Sequence, residues 1–359
     1  MSTKRTARLA LVSAFSVGAL FLTTGCGGSA TSATSASGNE KGLIGISMRF
    51  IAGNSWLSTM SEGAVKSGTS KGWTMEAVDA QGSAQTQIQQ MRTFINKGAK
   101  AIIIEPVGDR NVAGGIEAAK AAGIPVIVVN DRVSEELAKK VTCNLHDDGE
   151  ATAALVGEKA AAAAVAKKGE NSTINLYIQA LFPQELVTQS REDGFMKGWN
   201  DYMAKHPGVK TKRIPNNYGE ALPDKTLTAM RNVLAGNPDV DVVFNQTDVV
   251  MPAVTEALKG AGLMDQSGKT NVIIAGFDGG MDVIKAMAAN PSSNVVADGL
   301  NQPALQAAYA VDEAIAAVNG QSTGKCTGSP ATRILPPLAV TPSDAGKYVT
   351  DNLAFAGAE

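Results

Sequence analysis

The sequence has little that would suit it to nucleic acid or to a large aromatic cofactor. Its 34 aspartates and glutamates slightly outnumber its 32 lysines and arginines, so no basic excess is present to neutralise phosphate groups. Aromatic residues make up only 5% of the chain, which argues against a pocket built around a large aromatic cofactor. We therefore predict that the protein has no nucleic-acid partner and carries no cofactor.

Motifs for catalysis and metal binding are also scarce. No predicted strand is followed by Gly-x-Gly-x-x-Gly, which binds dinucleotides, or by the Gly-x-Ser-x-Gly elbow of many hydrolases. The chain has only two histidines, and in the run His146-Asp147-Asp148 adjacent side chains cannot all face one ion in regular structure. We interpret this run as a hinge loop followed by a helix cap. The sequence thus predicts a protein that is not an enzyme and holds no metal.

One long hydrophobic run stands out, at the N-terminus. It spans residues 9–22, follows a basic head that contains Lys4 and Arg8, and gives way to small residues at 23–25. It is too short, and too quickly followed by polar residues, to be a convincing membrane-spanning helix. We predict a secretory signal peptide over residues 1–25.

The cysteine that follows this run predicts lipid attachment. Cys26 comes directly after Gly25, as in a bacterial lipobox, although Thr23 stands where that motif more usually has Leu. Residues 26–41 are rich in Gly, Ser, Ala and Thr and form a flexible linker. We expect a lipoprotein anchored to the outer face of the cell membrane; an ordinary signal peptide with an incidental cysteine is the alternative.

Two further cysteines, Cys143 and Cys326, lie in the rest of the chain. Outside the cytoplasm an isolated pair can form a disulfide, and this one would join residues far apart in sequence. We favour the disulfide; two unpaired buried thiols are the alternative.

From Gly42 onward, segments typical of strands alternate with segments of helical spacing. The alternation runs through the apolar segment Val126–Val129 and starts again after Cys143 with an Ala-rich helix. Two such runs predict an α/β protein with two similar, doubly wound parallel-sheet domains. The last segment, 332–359, lacks this alternation and is predicted to make a final crossing and a cover strand.

Polar residues follow several of the predicted strands. Ligands of open parallel sheets bind beyond the carboxyl ends of the strands, where Asp131-Arg132 and Asp278 lie. Asp accepts hydrogen bonds and Arg donates a planar fork, which together suit the paired hydroxyls of a sugar. Glu105, like Asp79, is expected only to turn the chain. Trp56 could cover a sugar ring, with a core tryptophan as the alternative.

Five segments in order make the chain similar to a known family, the sugar-binding receptors of ABC importers of the ribose- and galactose-binding type. These segments are Asn54-Ser55-Trp56-Leu57-Ser58 with Glu62-Gly63-Ala64, Gly123-Ile124-Pro125-Val126-Ile127 with Asn130-Asp131-Arg132, Arg191-Glu192-Asp193-Gly194-Phe195, Phe244-Asn245-Gln246-Thr247-Asp248, and Gly276-Phe277-Asp278-Gly279. The resemblance implies the type I periplasmic-binding-protein fold, in which three strands of chain join two Rossmann-like domains.

The resemblance also implies ligand-binding residues. They are Asn54, Trp56, Asp131, Arg132, Arg191 and Asp278, with Tyr218 and Phe182 as further aromatic candidates from a looser alignment. Three positions depart from the ribose-type pattern: Leu57 replaces a stacking aromatic, Thr247 a ligand-bonding Asn, and Asp298 a Gln. These departures keep the site polar, and Thr247 and Asp298 remain predicted ligand-binding residues. They leave open whether the site binds a pentose, hexose, polyol or cyclitol.

By the same resemblance the chain crosses between domains near Cys143-Asn144, Asp298-Gly299 and Ile334-Leu335. The N-terminal lobe is then 42–143 plus 299–333, and the C-terminal lobe is 144–298 plus 334–359. Both Cys143 and Cys326 fall in the first lobe, which favours the disulfide.

The implied function is capture of a sugar or polyol by hinge closure and delivery to an ABC permease, by a monomer anchored outside the cytoplasm. A ligand-sensing receptor that feeds a membrane kinase or chemoreceptor is the alternative. A secreted carbohydrate-active enzyme is a third reading, from a different class.

Overall fold

The computed structural model describes residues 41–350 except 291 and 293. The predicted signal peptide and Cys26 lie outside the described residues, as does nearly all of the predicted linker. Within the described ranges no helix is both long and apolar enough to cross a membrane.

One sheet contains six strands, all parallel to their neighbours, in the order β11-β5-β4-β3-β1-β2. The strands are β1 (Leu43–Met48), β2 (Thr74–Asp79), β3 (Ala101–Ile104), β4 (Val126–Val129), β5 (Cys143–Asp147) and β11 (Thr332–Leu335). Its helices are α1 (Ser55–Ser70), α2 (Ala84–Asn96), α3 (Ala113–Ala121), α4 (Glu135–Ala138) and α10 (Pro303–Val318). β3 and β4 are buried along their whole length, as expected for strands covered by helices on both faces.

The second sheet repeats this plan in the order β12-β10-β9-β8-β6-β7. Its strands are β6 (Thr173–Ala180), β7 (Lys210–Tyr218), β8 (Val242–Asn245), β9 (Ile273–Asp278), β10 (Val295–Leu300) and β12 (Ala339–Val340), of which β12 is antiparallel. Its helices are α5 (Gly149–Lys168), α6 (Leu186–Met203), α7 (Pro223–Gly236), α8 (Met251–Gly260), α9 (Met281–Ala289) and α11 (Ala345–Thr350). The predicted α/β fold with two similar doubly wound sheets is confirmed.

The described chain passes between the sheets after Asp147, after Leu300 and after Leu335. The crossings implied by the resemblance, near Cys143-Asn144, Asp298-Gly299 and Ile334-Leu335, lie inside β5, β10 and β11. We propose that each lobe takes these strands whole. The two sheets then form two lobes, and the three crossings form the hinge between them.

Cys143 and Cys326 form a disulfide, which confirms the predicted pair. The bond joins the start of β5 to the segment between α10 and β11, across a sequence separation of 183 residues. Closing so long a loop restricts the unfolded chain and thereby favours the folded state.

Two glycines let α5 and α6 pack backbone to backbone. A Cβ atom at Gly194 would overlap the carbonyl oxygen of Glu150, and one at Gly198 would overlap that of Ala154. No larger residue fits at either position without separating the helices. This close contact fixes α6, which carries Arg191, against α5.

Candidate functional site

A small cavity lies between the two sheets, at the carboxyl ends of their strands. Its volume is about 50 Å³. The polar and aromatic residues of its lining come from both sheets and are Arg49, Phe50, Asn54, Trp56, Glu105, Asn130 and Asp131 from the first and Phe182, Arg191, Thr247 and Asp278 from the second. We call it the cleft cavity. Its position is the one that the strand-end rule predicts for a ligand.

Arg49 forms the centre of the first side of the cleft cavity. It follows β1 directly, and its guanidinium donates to Asp131 at 2.9 Å and to the carbonyl oxygen of Pro106 at 2.6 Å. It also reaches the second lobe, where it donates to Glu185 at 2.9 Å and lies 4.5 Å from the centre of the Phe182 ring. Burial would lower the pKa of Arg49, but the surrounding carboxylates raise it above its ordinary value. Arg49 is therefore a permanent cation that joins the two walls of the cavity.

Glu105 corrects one prediction. It was expected only to turn the chain, but it is 2% exposed, lines the cleft cavity and accepts a hydrogen bond from the backbone N–H of Arg49 at 3.2 Å. Burial raises the pKa of Glu105 well above its ordinary value, while the charge of Arg49 opposes the shift. Asp79, by contrast, does turn the chain, since it accepts from the backbone of Ile51 and Gln81.

Arg191 and Asp278 form the second side of the cavity. Their side chains make an ion pair at 2.9 Å, and Thr247 donates from its hydroxyl to the other oxygen of Asp278 at 2.6 Å. Arg191 also lies 4.0 Å from the centre of the Phe277 ring. Burial raises the pKa of Asp278, and the charge of Arg191 and the Thr247 hydroxyl act against that shift. Each wall of the cavity thus presents a paired acid and guanidinium.

The backbone at Asp278 is unusual. Its φ of 104° lies in the left-handed region, which residues other than glycine rarely adopt. Gly279 follows with a φ of 74°. Such strain persists only where the surroundings enforce it, and it concentrates at functional sites. The strained turn points the Asp278 carboxylate at Arg191 and into the cavity.

Seven of the predicted ligand-binding residues lie together around the cleft cavity. They are Asn54, Trp56, Asp131, Phe182, Arg191, Thr247 and Asp278. Asn54 is also the N-cap of α1, where its side-chain oxygen accepts from the N–H of Leu57 at 2.9 Å. Trp56 is both a cavity wall and a core residue, since it is only 3% exposed and its indole N–H donates to the carbonyl oxygen of Asn301.

Arg132, Asp298 and Tyr218 lie elsewhere. Arg132 is exposed and lines a neighbouring cavity of about 120 Å³ beside His146 and Asp147. The cation that pairs with Asp131 is Arg49. Asp298 is fully buried inside β10, behind the cavity wall. Tyr218 is 40% exposed at the end of the edge strand β7.

Asn301 shows why Asp298 was misplaced. β10 remains paired with β9 as far as Leu300, so Asn301 and not Asp298 follows the strand. The Asn301 amide donates to the side-chain oxygen of Asn130 at 3.2 Å, and thereby ties a crossing strand to the end of β4. A strand predicted to end at Leu300 would have made Asn301 the residue that follows it.

Each guanidinium at the cavity faces at least one carboxylate, so neither is left as an unpaired positive charge, which suits a neutral polar ligand. Both guanidiniums are paired with carboxylates, and these pairs keep oxygen lone pairs and N–H groups for further hydrogen bonds. Within the described ranges no cluster of three His, Cys, Asp or Glu side chains could hold a metal ion. The site is built for recognition by hydrogen bonds.

Comparisons with known proteins agree with this geometry. Residues 44–322 match a family model described as a periplasmic binding protein domain. The ribose import binding protein RbsB of Bacillus subtilis is 27% identical over 300 residues, 82% of this chain and 88% of that protein. A D-apiose import binding protein of Paraburkholderia graminis is 27% identical over 265 residues, 74% of this chain and 76% of that protein.

Solved structures show the same fold. An ABC transporter solute binding protein from Mycobacterium smegmatis, with bound glycerol, has a TM-score of 0.73 and 24% identity, over 88% of this chain and 99% of that one. An ABC transporter solute binding protein from Actinobacillus succinogenes, with bound D-allose, has a TM-score of 0.71 and 20% identity, over 85% of this chain and 99% of that one. The curated relatives are binding proteins of importers and not enzymes.

Proposed function

Because the chain belongs to the periplasmic binding protein domain family, we propose that it captures a sugar or related polyol at the cleft cavity, whose walls must move apart to admit it, and delivers it to an ABC permease. Its curated relatives include import binding proteins for ribose and D-apiose and a xylitol-binding protein. The family also implies a location outside the cytoplasm.

The observation that carries this proposal is the pair of facing acid–guanidinium sets. Asp131 with Arg49 comes from the first sheet, and Asp278 with Arg191 from the second. A polyol that lies between them would donate its hydroxyl protons to the carboxylates and accept from the guanidiniums. Ligand hydroxyls would thus bridge the two lobes, and their binding energy would favour the closed arrangement.

A thermal-shift screen tests this function. The panel is D-ribose, D-apiose, xylitol, D-allose and myo-inositol. Each is tested at concentrations up to about 10 mM, high enough to detect a weak ligand. A ligand at about one hundred times its Kd adds about 2.7 kcal/mol to the free energy of unfolding, so at least one compound should raise Tm by several degrees. An unchanged Tm with the whole panel would contradict capture of a sugar or polyol. Transport is tested separately: uptake of the stabilising sugar that survives deletion of this protein would favour sensing over import.

We also propose that Cys26 is lipidated and holds the protein at the outer face of the membrane, with residues 26–41 as the linker. The support is the sequence pattern alone, namely an apolar run followed by a cysteine and a flexible segment. Cys26→Ala should move the protein from the membrane fraction to the soluble fraction. A variant that stays as membrane-bound as the parent would show that lipidation is wrong.

A further inference from the structure

Two buried acids lie directly behind the strained turn that carries Asp278. Asp248 begins the short 3-10 turn Asp248–Val250 after β8, and Asp298 lies in β10. They are 6% and 0% exposed. Asp298 accepts from the N–H of Gly279 at 3.1 Å, and Asp248 accepts from the N–H of Gly280 at 2.7 Å. The two carboxyl groups therefore hold the two residues that follow Asp278.

The other oxygen of each carboxyl group points to the same place. A Cβ atom on Gly276 would lie 2.7 Å from Oδ1 of Asp248 and 2.6 Å from Oδ2 of Asp298, so both oxygens converge where glycine alone leaves room. Both are buried, and in the described part of the chain neither has an N–H or O–H donor. Two acceptor oxygens that meet away from water repel each other, unless one of them carries a proton that the other accepts.

We propose that Asp248 and Asp298 share one proton, and that this proton holds the Asp278–Gly280 turn in its ligand-binding conformation. The two acids are positioning residues, since they act through the backbone of Gly279 and Gly280. With the proton, the pair is a stable hydrogen-bonded clamp on the turn. Without it, like charges separate, the two N–H bonds loosen and the strained Asp278 moves away from Arg191 and Thr247. The effect on binding rests on the proposed sugar site.

The surroundings of the pair favour a retained proton. Burial raises the pKa of Asp298 to about 7 and that of Asp248 well above its ordinary value. The charge of Asp278 on β9 raises both pKa values further. The N–H of Gly280 lowers the pKa of Asp248, and the N–H of Gly279 and the charge of Arg191 on α6 lower that of Asp298, so burial outweighs these opposing effects. On the other side β12 offers only the apolar Val340 opposite Asp298.

The proton can exchange with solvent through an adjacent groove. Asp248 and Gly280 line a groove of about 680 Å³ beside α8 and α9. The shared proton can therefore equilibrate with the external pH.

The sign of the pH effect follows from linkage. The folded pair keeps its proton at pH values where the unfolded carboxyl groups, with pKa near 4, have lost theirs. The folded state thus binds more protons, and stability falls as pH rises from the unfolded pKa values toward the raised pKa values of the folded pair. Asp298→Asn replaces the shared proton with an amide N–H that donates to Asp248 at every pH. Asp248→Asn does the same from the other side.

The test measures urea midpoints and D-ribose affinity between pH 6 and pH 9 for the wild type, both amide variants and Asp282→Asn. Asp282 is an exposed acid at the start of α9 and serves as the matched control. Glu105 and Asp147 are also buried acids with raised pKa values, so the decisive quantity is the difference between wild-type and variant profiles. We expect wild-type affinity for D-ribose to fall about tenfold over this range, one tenfold step being about 1.4 kcal/mol. An amide variant should lose less than twofold, and its urea midpoint should fall less steeply.

Superimposed profiles of the wild type and both amide variants would overturn the proposal. So would failure of both amide variants to fold while Asp282→Asn folds, because an amide that mimics the proton should be tolerated. The urea arm needs no ligand. If D-ribose fails to bind but the urea profiles differ as expected, the shared proton stands and D-ribose is not the ligand. If the whole thermal-shift panel also fails, the proposed function is wrong while the shared proton still stands.

Discussion

Arg49→Met is expected to lower the free energy of unfolding by about 3 to 5 kcal/mol, the cost of removing one partner of a buried ion pair, and to abolish detectable sugar binding. Methionine keeps much of the length of the side chain but leaves Asp131 without its cation. It also removes the two hydrogen bonds to the carbonyl oxygen of Pro106 and the contact with Glu185 in the other lobe. The substitution therefore reduces stability, changes the shape of the cavity and removes the Arg49–Glu185 contact between its two walls.

The loss of stability in Arg49→Met should depend on pH. Burial already raises the pKa of Glu105, and without Arg49 the opposing charge is gone, so that carboxyl group takes up a proton more readily. Protonation removes a buried charge, and the stability difference from wild type should shrink as pH falls from 7 to 5. Urea denaturation at the two pH values measures it.

Arg132→Met is the matched control. It removes the same group from an exposed side chain that directly follows Asp131 in sequence. We expect its stability to lie within about 0.5 kcal/mol of wild type, as is usual for surface substitutions, and its sugar affinity to be close to wild type. Loss of binding in Arg132→Met together with wild-type binding in Arg49→Met would support the predicted pair of Asp131 with Arg132 and contradict the role of the Asp131–Arg49 pair in binding.

Asp278→Asn should weaken sugar binding by about one hundredfold, or about 2.7 kcal/mol. Asparagine has nearly the same shape and tolerates a left-handed backbone, so the turn at φ 104° can persist. The change removes the charge that pairs with Arg191 and replaces one acceptor oxygen with a donor. Ligand hydroxyls that donate to Asp278 then meet an N–H group instead, and Arg191 is left buried without its carboxylate.

Isothermal titration calorimetry with the most stabilising sugar of the panel measures this loss. Tyr218→Leu is the control, because the resemblance made Tyr218 a candidate but the structure leaves it 40% exposed. Its affinity should stay within about twofold of wild type, a difference of about 0.4 kcal/mol. Wild-type affinity in Asp278→Asn would remove Asp278 from the site.

The fold could be predicted because buried parallel strands have an unmistakable composition. β3 and β4 are short, continuous apolar runs, and a glycine closely follows each of the helices α1, α2 and α3. The rule that ligands lie beyond strand ends then pointed to Asp131 and Asp278, which both line the cleft cavity. Both observations are local in sequence, and local patterns are what a single sequence displays.

The arginine that pairs with Asp131 could not be predicted, because side-chain direction depends on backbone angles that the sequence does not give. Arg49 and Arg132 both follow a strand end. Asn130 adopts φ 61°, and beyond it Asp131 points into the cavity while Arg132 is exposed to solvent. Arg49 meets Asp131 only because β1 lies two strands from β4 in the sheet, a non-local fact.

The place of Asp298 could not be predicted for a similar reason. The resemblance assigned Asp298 to the ligand by its position in the family pattern. Pairing with β9 extends β10 to Leu300, so Asp298 lies inside the strand and behind the cavity wall with Asp248. Strand length here is set by the neighbouring strand and not by the residues of β10 themselves.

A crystal structure of the protein with the most stabilising sugar of the panel tests the central claim most directly. We predict one sugar molecule in the cleft cavity, with hydroxyl groups within hydrogen-bond distance of Asp131 on the first sheet and Asp278 on the second. Sugar bound instead in the groove beside α8 and α9, or in contact with one sheet alone, would contradict the account.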